Sequence, residues 1–144
     1  MRFLLVPVGL DLYAVPMDAV REVVQAPLLT RLPTAPALIL GLFNLRGEIV
    51  PLLDTAALMG LGRLPDWSFV AVVRSSLGPA GLAATALPEP VGLGEPVGAS
   101  ESPATAGTYA VGQRLAVLLD IEQLLGASLS VPRLLARPSM QGAG

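Results

Sequence analysis

The sequence predicts a mainly β protein built as two small barrels in one chain. Three observations point there. Short apolar runs follow one another along the 144 residues, each bounded by Gly, Pro, Asn or Asp, as strands and turns require. No apolar run has the length and period of a long helix. The chain also repeats itself. Glu48-Ile-Val-Pro-Leu-Leu-Asp54-Thr-Ala-Ala-Leu58-Met-Gly60 resembles Arg114-Leu-Ala-Val-Leu-Leu-Asp120-Ile-Glu-Gln-Leu124-Leu-Gly126, with a constant offset of 66 from Asp54 to Asp120 and from Gly60 to Gly126. Two matching hairpin-plus-helix units with close turn signals suit a pair of small barrels.

The first strands are Phe3 to Val8 and Leu12 to Val15, a hairpin around Gly9-Leu10-Asp11. Pro16 to Val20 reads as one helical turn with Pro at its first position, and Arg21 to Gln25 continues extended. Pro27, Pro33 and Pro36 keep the next stretch irregular. Leu40 to Leu45 and Glu48 to Leu53 form a second hairpin closed at Arg46-Gly47, where Gly47 takes a positive φ. Phe69 to Arg74 pairs with Gly81 to Leu87. Residues 88 to 107 carry four prolines and four glycines and read as a long flexible loop. Tyr109 to Val111 and Leu115 to Leu119 make the last hairpin. In each repeat a buried strand runs into a short helix. Asp54 and Asp120 are the N-caps, Gln123 completes a capping box with Asp120, and Gly60 and Gly126 are the left-handed residues after the helix ends. Expected boundaries are 1–129 for the folded domain, as two interleaved barrels with the second at roughly 67–112, and 130–144 for a partly disordered tail.

Composition narrows the function. The chain is 53% apolar with a mean hydropathy of +0.67. Yet its most apolar stretch, Ala35 to Leu45, is broken by Pro36, Gly41 and Asn44, so no segment reads as a spanning helix. The first residues lack the cleavage pattern of a secretory leader, and a cytoplasmic location is expected. The nine basic residues are all arginines, they are scattered, and the net charge is −2; no basic patch for nucleic acid is present. There is no cysteine and no histidine. Disulfides, thiolate metal sites and the commonest general base are therefore absent. Apart from Glu22, most of the eleven carboxylates read as turn, cap or solvent positions. No metal, no cofactor and no catalytic group is expected.

Gly41-Leu-Phe-Asn44-Leu45-Arg46-Gly47-Glu-Ile-Val50-Pro51-Leu-Leu-Asp54 resembles the signature of CheW-like domains: a glycine, then Asn-Leu-Arg-Gly, then an apolar strand ending in Asp. Leu12-Tyr13-Ala14-Val15-Pro16 and Val20-Arg21-Glu22-Val23 resemble the first barrel of that family, and Leu115 to Leu125 resembles its closing strand and helix. The resemblance covers roughly residues 3 to 126. It implies two five-stranded SH3-like barrels related by a pseudo-twofold, and no catalytic activity. It implies binding to the cytoplasmic hairpin tip of chemoreceptors in a groove near the barrel junction. It further implies pairing with the regulatory domain of a CheA-type histidine kinase, in arrays at the membrane without insertion into it.

By position, the resemblance makes Val20 and Glu22 receptor contacts, and Gly41 and Arg46 receptor or kinase contacts. Val23, Asn44, Leu45 and Gly47 complete the expected partner-binding set. Residue chemistry leaves alternatives open. Arg46 is either a five-donor head aimed at a partner helix or a solvated turn residue. Val20 and Val23 are either an apolar strip for a helix or core. Asn44 either fixes the hairpin backbone or touches a partner. The stretch Gly81 to Leu87 departs from the family: it is alanine-rich and lacks the acidic residue found in many relatives. Small side chains pack a sheet less well than branched ones, so a second barrel that is trimmed, mobile or dependent on a partner is expected. Two other functions are compatible with the sequence. One is a divergent relative serving pili, gliding or second-messenger output. The other is a small-ligand-binding barrel.

Overall fold

The computed structural model describes residues 2–99 and 104–129. The expected tail at 130–144 lies outside the described residues. Ten strands and two α-helices follow in order: β1 (Arg2–Val8), β2 (Asp11–Pro16), β3 (Val20–Gln25), β4 (Ile39–Leu45), β5 (Glu48–Leu53), α1 (Thr55–Leu58), β6 (Phe69–Ser75), β7 (Gly78–Ala84), β8 (Glu89–Gly92), β9 (Thr105–Val111), β10 (Arg114–Leu119) and α2 (Ile121–Leu129). A single 3-10 turn, Met17–Ala19, separates β2 from β3, with Pro16 as its N-cap and not its first residue.

The strands form two five-stranded sheets, ordered β8-β1-β2-β10-β9 and β3-β6-β7-β5-β4. Both repeat one pattern: two antiparallel pairings, one parallel, one antiparallel. The 66-residue offset carries β4, β5 and the start of α1 onto β9, β10 and the start of α2, and an offset of 67 carries β1 onto β6. Each repeat thus contributes three strands to one sheet and exchanges its first hairpin with the other. The expected second barrel at 67–112 is corrected accordingly. β6 and β7 belong to the sheet completed by β3, β4 and β5, whereas β8 and β9 belong with β1, β2 and β10. The seams are the parallel pairings of β2 with β10 (Tyr13 to Val117) and of β7 with β5 (Gly81 to Leu52).

Burial follows from strand alternation. In the first sheet Phe3, Leu12, Ala14 and Ala116 form a small core, with Val91 and Val111 of the two edge strands packed onto it, so the sheet curls on itself. The opposite face of β1 and β2, including Leu4, Val6, Tyr13 and Val15, belongs to a larger continuous core with the second sheet and with Leu124 and Leu125 of α2. The four residues Val70, Ala71, Val72 and Val73 of β6 are all fully buried, so both faces of that strand are covered. Tyr13 sits in this junction, and burial, aided by the nearby Asp11 carboxylate, pushes its hydroxyl pKa up.

The alanine-rich strand β7 is not a weak point. Leu82, Ala83 and Ala84 are fully buried. A Cβ on Gly81 would lie 2.6 Å from Val70 Cγ1 and 3.1 Å from Phe43 Cε1. Small residues let the backbone of β7 come within packing distance of its neighbours on both faces. Residues 88 to 107 are likewise not one loop. They contain β8, paired with β1, and the start of β9. Pro90 is tolerated there because β8 is an edge strand, where a missing N–H breaks no ladder on its open side. Gly60 does take a positive φ, 73°, but Gly126 lies inside α2, which runs on to Leu129.

Candidate partner-binding surface

Strand β3 forms one edge of the second sheet, and β4 forms the other. The register of β3 against β6 slips between Val20 and Glu22, which leaves Arg21 as an extra residue. Such a bulge re-aims side chains that would otherwise alternate. Here both Arg21 and Glu22 reach the β4–β5 hairpin. Arg21 Nη1 lies 2.6 Å from Glu48 Oε1, and Arg46 is ion-paired to Glu22. Two reciprocal ion pairs therefore tie one edge of the sheet to the hairpin at the other and close the curl. Arg46 remains 66% exposed in its side chain, against 24% for Glu22, so its guanidinium is oriented without being hidden.

The turn holding Arg46 follows from its sequence. Arg46 (φ 51°) and Gly47 (φ 89°) are both left-handed, the geometry of a two-residue type I′ hairpin loop. Gly adopts it freely, whereas a residue with a Cβ does so at a cost. Asn44 Oδ1 accepts from the Gly47 N–H at 2.9 Å, so Asn44 fixes the hairpin backbone. Val20 and Val23 are half-buried and pack onto the large core with one edge in solvent. Leu45 is only 7% exposed, and its expected contact role is corrected to core packing. Gly41 is also buried. A Cβ there would stand 2.9 Å from the Thr30 carbonyl oxygen and 3.2 Å from Leu29 Cβ. Thr30 and Leu42 exchange two backbone hydrogen bonds at 2.7 and 2.8 Å. Gly41 thus lets the segment at Leu29–Thr30 lie against the open edge of β4, and it offers no surface to a partner.

The expected site residues therefore divide. Val20, Glu22, Val23, Arg46 and Gly47 share one surface ridge, Asn44 supports it from the turn, and Gly41 and Leu45 lie beneath. Ile49, 58% exposed beside the turn, was not among them. Its alternation with buried Val50 in β5 is the signal that marks it as outward-facing. Two more features were not anticipated residue by residue. A cavity of about 610 Å³ lies where the two sheets meet, with Asp18 and Ala19 on one wall and Arg74, Asp120 and Ile121 on others; it adjoins the ridge through the step from Ala19 to Val20. The aliphatic tips also recur in both halves. Leu10 (97% exposed) sits in the β1–β2 turn, near Leu115 (60%) of the adjacent β10, as Leu77 (58%) of the β6–β7 turn sits near Ile49 of β5.

Among the described residues no cluster of three Asp or Glu could hold a metal ion, and no helix is long and apolar enough to cross a membrane. Asp54 and Asp120 both cap helices, through Ala57 N and Gln123 N. Glu122 caps Ser76 through its backbone and its hydroxyl.

This two-sheet architecture is matched by known proteins. The family model for the CheW-like domain matches residues 2–128. The chain belongs to the CheW-like domain family. It is 31% identical over 128 residues to the chemotaxis protein CheW of Helicobacter pylori, a match covering 82% of this chain and 77% of that one. It is 39% identical over 46 residues to the chemotaxis protein CheW of Treponema pallidum, covering 32% and 27% of the two chains. Its fold resembles the crystal structure of the scaffolding protein TtCheW from Thermoanaerobacter tengcongensis with a TM-score of 0.75 at 22% identity, over 86% of each chain. The CheW-like family thus accounts for both the Asn44-to-Gly47 signature and the exchanged-hairpin fold.

Proposed function

We propose that this chain is a non-catalytic adaptor that couples methyl-accepting chemoreceptors to a CheA-type histidine kinase in chemotaxis signalling. The observation that carries the reading is the family match over residues 2–128, on a chain with neither histidine nor cysteine. Five of its described carboxylates, Glu22, Glu48, Asp54, Asp120 and Glu122, cap helices or a turn or close a sheet. In this reading the receptor's cytoplasmic tip lies along Val20, Glu22 and Val23, with Arg46 supplying donors to a carboxylate or carbonyl of the receptor helix. The kinase's regulatory domain uses a separate surface. The aliphatic tips at Leu10–Leu115 and Ile49–Leu77 support this, since exposed apolar clusters mark contact sites. Assembly takes place on the cytoplasmic side of membrane receptor arrays.

Isothermal titration against the receptor tip fragment and the CheA regulatory domain of the same organism tests the reading. Saturable binding to both is expected, with interfaces no larger than roughly 1,200–2,000 Å². Absence of binding to either partner refutes the adaptor role. Equal binding by wild type and Arg46→Glu removes Arg46 from the contact while leaving the adaptor role in place.

A further inference from the structure

The lining of the cavity between the sheets selects for a basic occupant. Asp18, Asp120 and Glu122 line it against Arg74, three carboxylates to one guanidinium. The N-terminus of α2 adds roughly half a positive charge there, which does not reverse the sign. Between these groups the wall is apolar, with Ala19, Leu118 and Ile121. Ala19 and Leu118 are only half-buried, so each keeps apolar surface that a further side chain could cover.

The chain itself carries a segment of the matching kind. After Leu129, the last residue of α2, the sequence continues Ser-Val-Pro-Arg-Leu-Leu-Ala-Arg-Pro. Residues 130–144 hold Arg133 and Arg137, the pair Leu134 and Leu135, and no acidic residue. α2 starts at the cavity wall, since Ile121 and Glu122 line it. Its nine residues carry the chain no more than about 13 Å away at 1.5 Å per residue. Five extended residues span about 17 Å, so Leu134 is within reach of the cavity at which the helix began. Pro132 breaks the helical ladder just after α2, where a reversal has to start. A tether this short holds the segment at an effective concentration in the range of about a millimolar, at which even a weak contact is populated.

We propose that residues 131–137 fold back onto the junction cavity of their own chain as an autoinhibitory contact. Leu134 and Leu135 cover Ala19, Leu118 and Ile121, and the two arginines lie among Asp18, Asp120 and Glu122. The cavity adjoins the ridge at Val20, so the segment has to leave before a receptor helix settles along that ridge. The inhibition rests on the receptor reading of the ridge; the contact itself rests on charge, apolar surface and reach.

The test uses the full chain with a nitroxide attached through Ser139→Cys, a unique thiol in a sequence without cysteine, and reads amide broadening by 15N–1H NMR. Broadening at Ala19, Arg74 and Leu118 is expected. It drops at least threefold when Arg133→Glu and Arg137→Glu are added together, and again when Leu134→Ser and Leu135→Ser are added instead, with the rest of the amide spectrum unchanged. Broadening that survives both pairs of changes, or none in the parent chain, overturns the contact. So does broadening in a mixture where isotope and nitroxide sit on different copies, because the occupant then comes from a second chain. Isothermal titration with the receptor tip fragment reads the inhibition. The chain with Leu134→Ser and Leu135→Ser binds the tip at least threefold more tightly than wild type, and equal affinities overturn the autoinhibitory role. Absence of tip binding by both chains refutes the receptor reading and with it the inhibition, while the broadening still decides the contact.

Discussion

Arg46 sits at a left-handed position that most side chains avoid, and replacing it separates stability from binding. A residue with a Cβ in this conformation costs about 1–2 kcal/mol relative to a right-handed one. Asparagine is tolerated there and is the preferred first residue of a type I′ loop, so Arg46→Asn recovers about 1 kcal/mol of that cost. The same change removes the ion pair with Glu22. With the Arg46 side chain 66% exposed, solvent screening limits that pair to roughly 0.2–1 kcal/mol. The second pair, Arg21 to Glu48 at 2.6 Å, continues to hold the sheet edges together. The net expectation is a stability change between zero and a gain of about 1 kcal/mol. With a urea m-value of about 1–3 kcal/mol/M, that is a midpoint shift of up to several tenths of a molar at unchanged slope. Binding of the receptor tip, measured on the same preparation, falls at least about tenfold, a loss of about 1.4 kcal/mol. If Arg46→Asn instead loses more than about 1 kcal/mol of stability, the ion pair is a structural latch, and Arg46 is held at its left-handed position by the fold and not by a partner.

Four further outcomes are expected. Gly41→Ala drives a Cβ to 2.9 Å from the Thr30 carbonyl and costs about 1–3 kcal/mol, with faster amide exchange at Thr30 and Leu42. Gly81→Ala costs a similar amount through the 2.6 Å approach to Val70 Cγ1, and Val70→Ala in the same chain recovers part of it, read as a coupling of about 1 kcal/mol in a double-mutant cycle. Asp54→Ala removes two hydrogen bonds to a buried carboxylate and costs about 3 kcal/mol or more, whereas Asp120→Ala costs about 1 kcal/mol as an ordinary cap; equal losses in urea melts would refute the asymmetry between the halves. The raised pKa of Tyr13 means the folded chain keeps that proton where the unfolded chain gives it up. Stability is therefore unaffected by this group below the ordinary tyrosine value of about 10 and falls as pH rises above it, and Tyr13→Phe flattens that fall in urea melts at pH 8 and 10.5.

Much of the local structure was legible in the sequence, because it is written in local chemistry. Gly9-Leu10-Asp11 and Arg46-Gly47 mark the hairpins they close, and the Leu-Leu-Asp copies mark the strand-to-helix steps. What escaped has causes that lie far apart in the chain. The parallel pairing of β2 with β10 joins Tyr13 to Val117, and strand periodicity carries no information about a partner that distant. For that reason the expected bounds of 67–112 for the second of two interleaved barrels did not separate β6 and β7 from β8 and β9. β8 was hidden because Glu89-Pro90-Val91-Gly92 has loop composition, and only its place at a sheet edge makes it a strand. At the partner-binding surface, the residue types of Arg46 and Glu22 suggested contacts, but their mutual ion pair depends on the bulge at Arg21. Gly41 shows the converse. Its place in the signature suggested a contact, whereas the clash a Cβ would make with Thr30 shows a packing role.

The exchange of hairpins also accounts for where the interaction surfaces lie. Had each repeat closed its own sheet, the two units would meet through a rim of loops, as domains joined by a linker do. Here each sheet needs two strands from the other half, so the junction is made of the central hairpins β1–β2 and β6–β7 and is as dry as the core itself. The two turns of those hairpins are each pinned across the junction. Gly9 N donates to Thr85 Oγ1 at 2.9 Å, and Ser76 N donates to Glu122 at 3.0 Å. A rigid junction fixes the ridge at β3, the neighbouring cavity and the two aliphatic tips relative to one another. An adaptor that holds two partners at once depends on that fixed geometry, since linked contacts reinforce each other only when both are reached without distortion. The same exchange leaves one asymmetry. The linker between repeats fills the angle at Asp54, where Leu64 N donates to Oδ2, while among the described residues Asp120 accepts only from Gln123 N through its side chain, so a fold built from two copies treats its two capping aspartates differently.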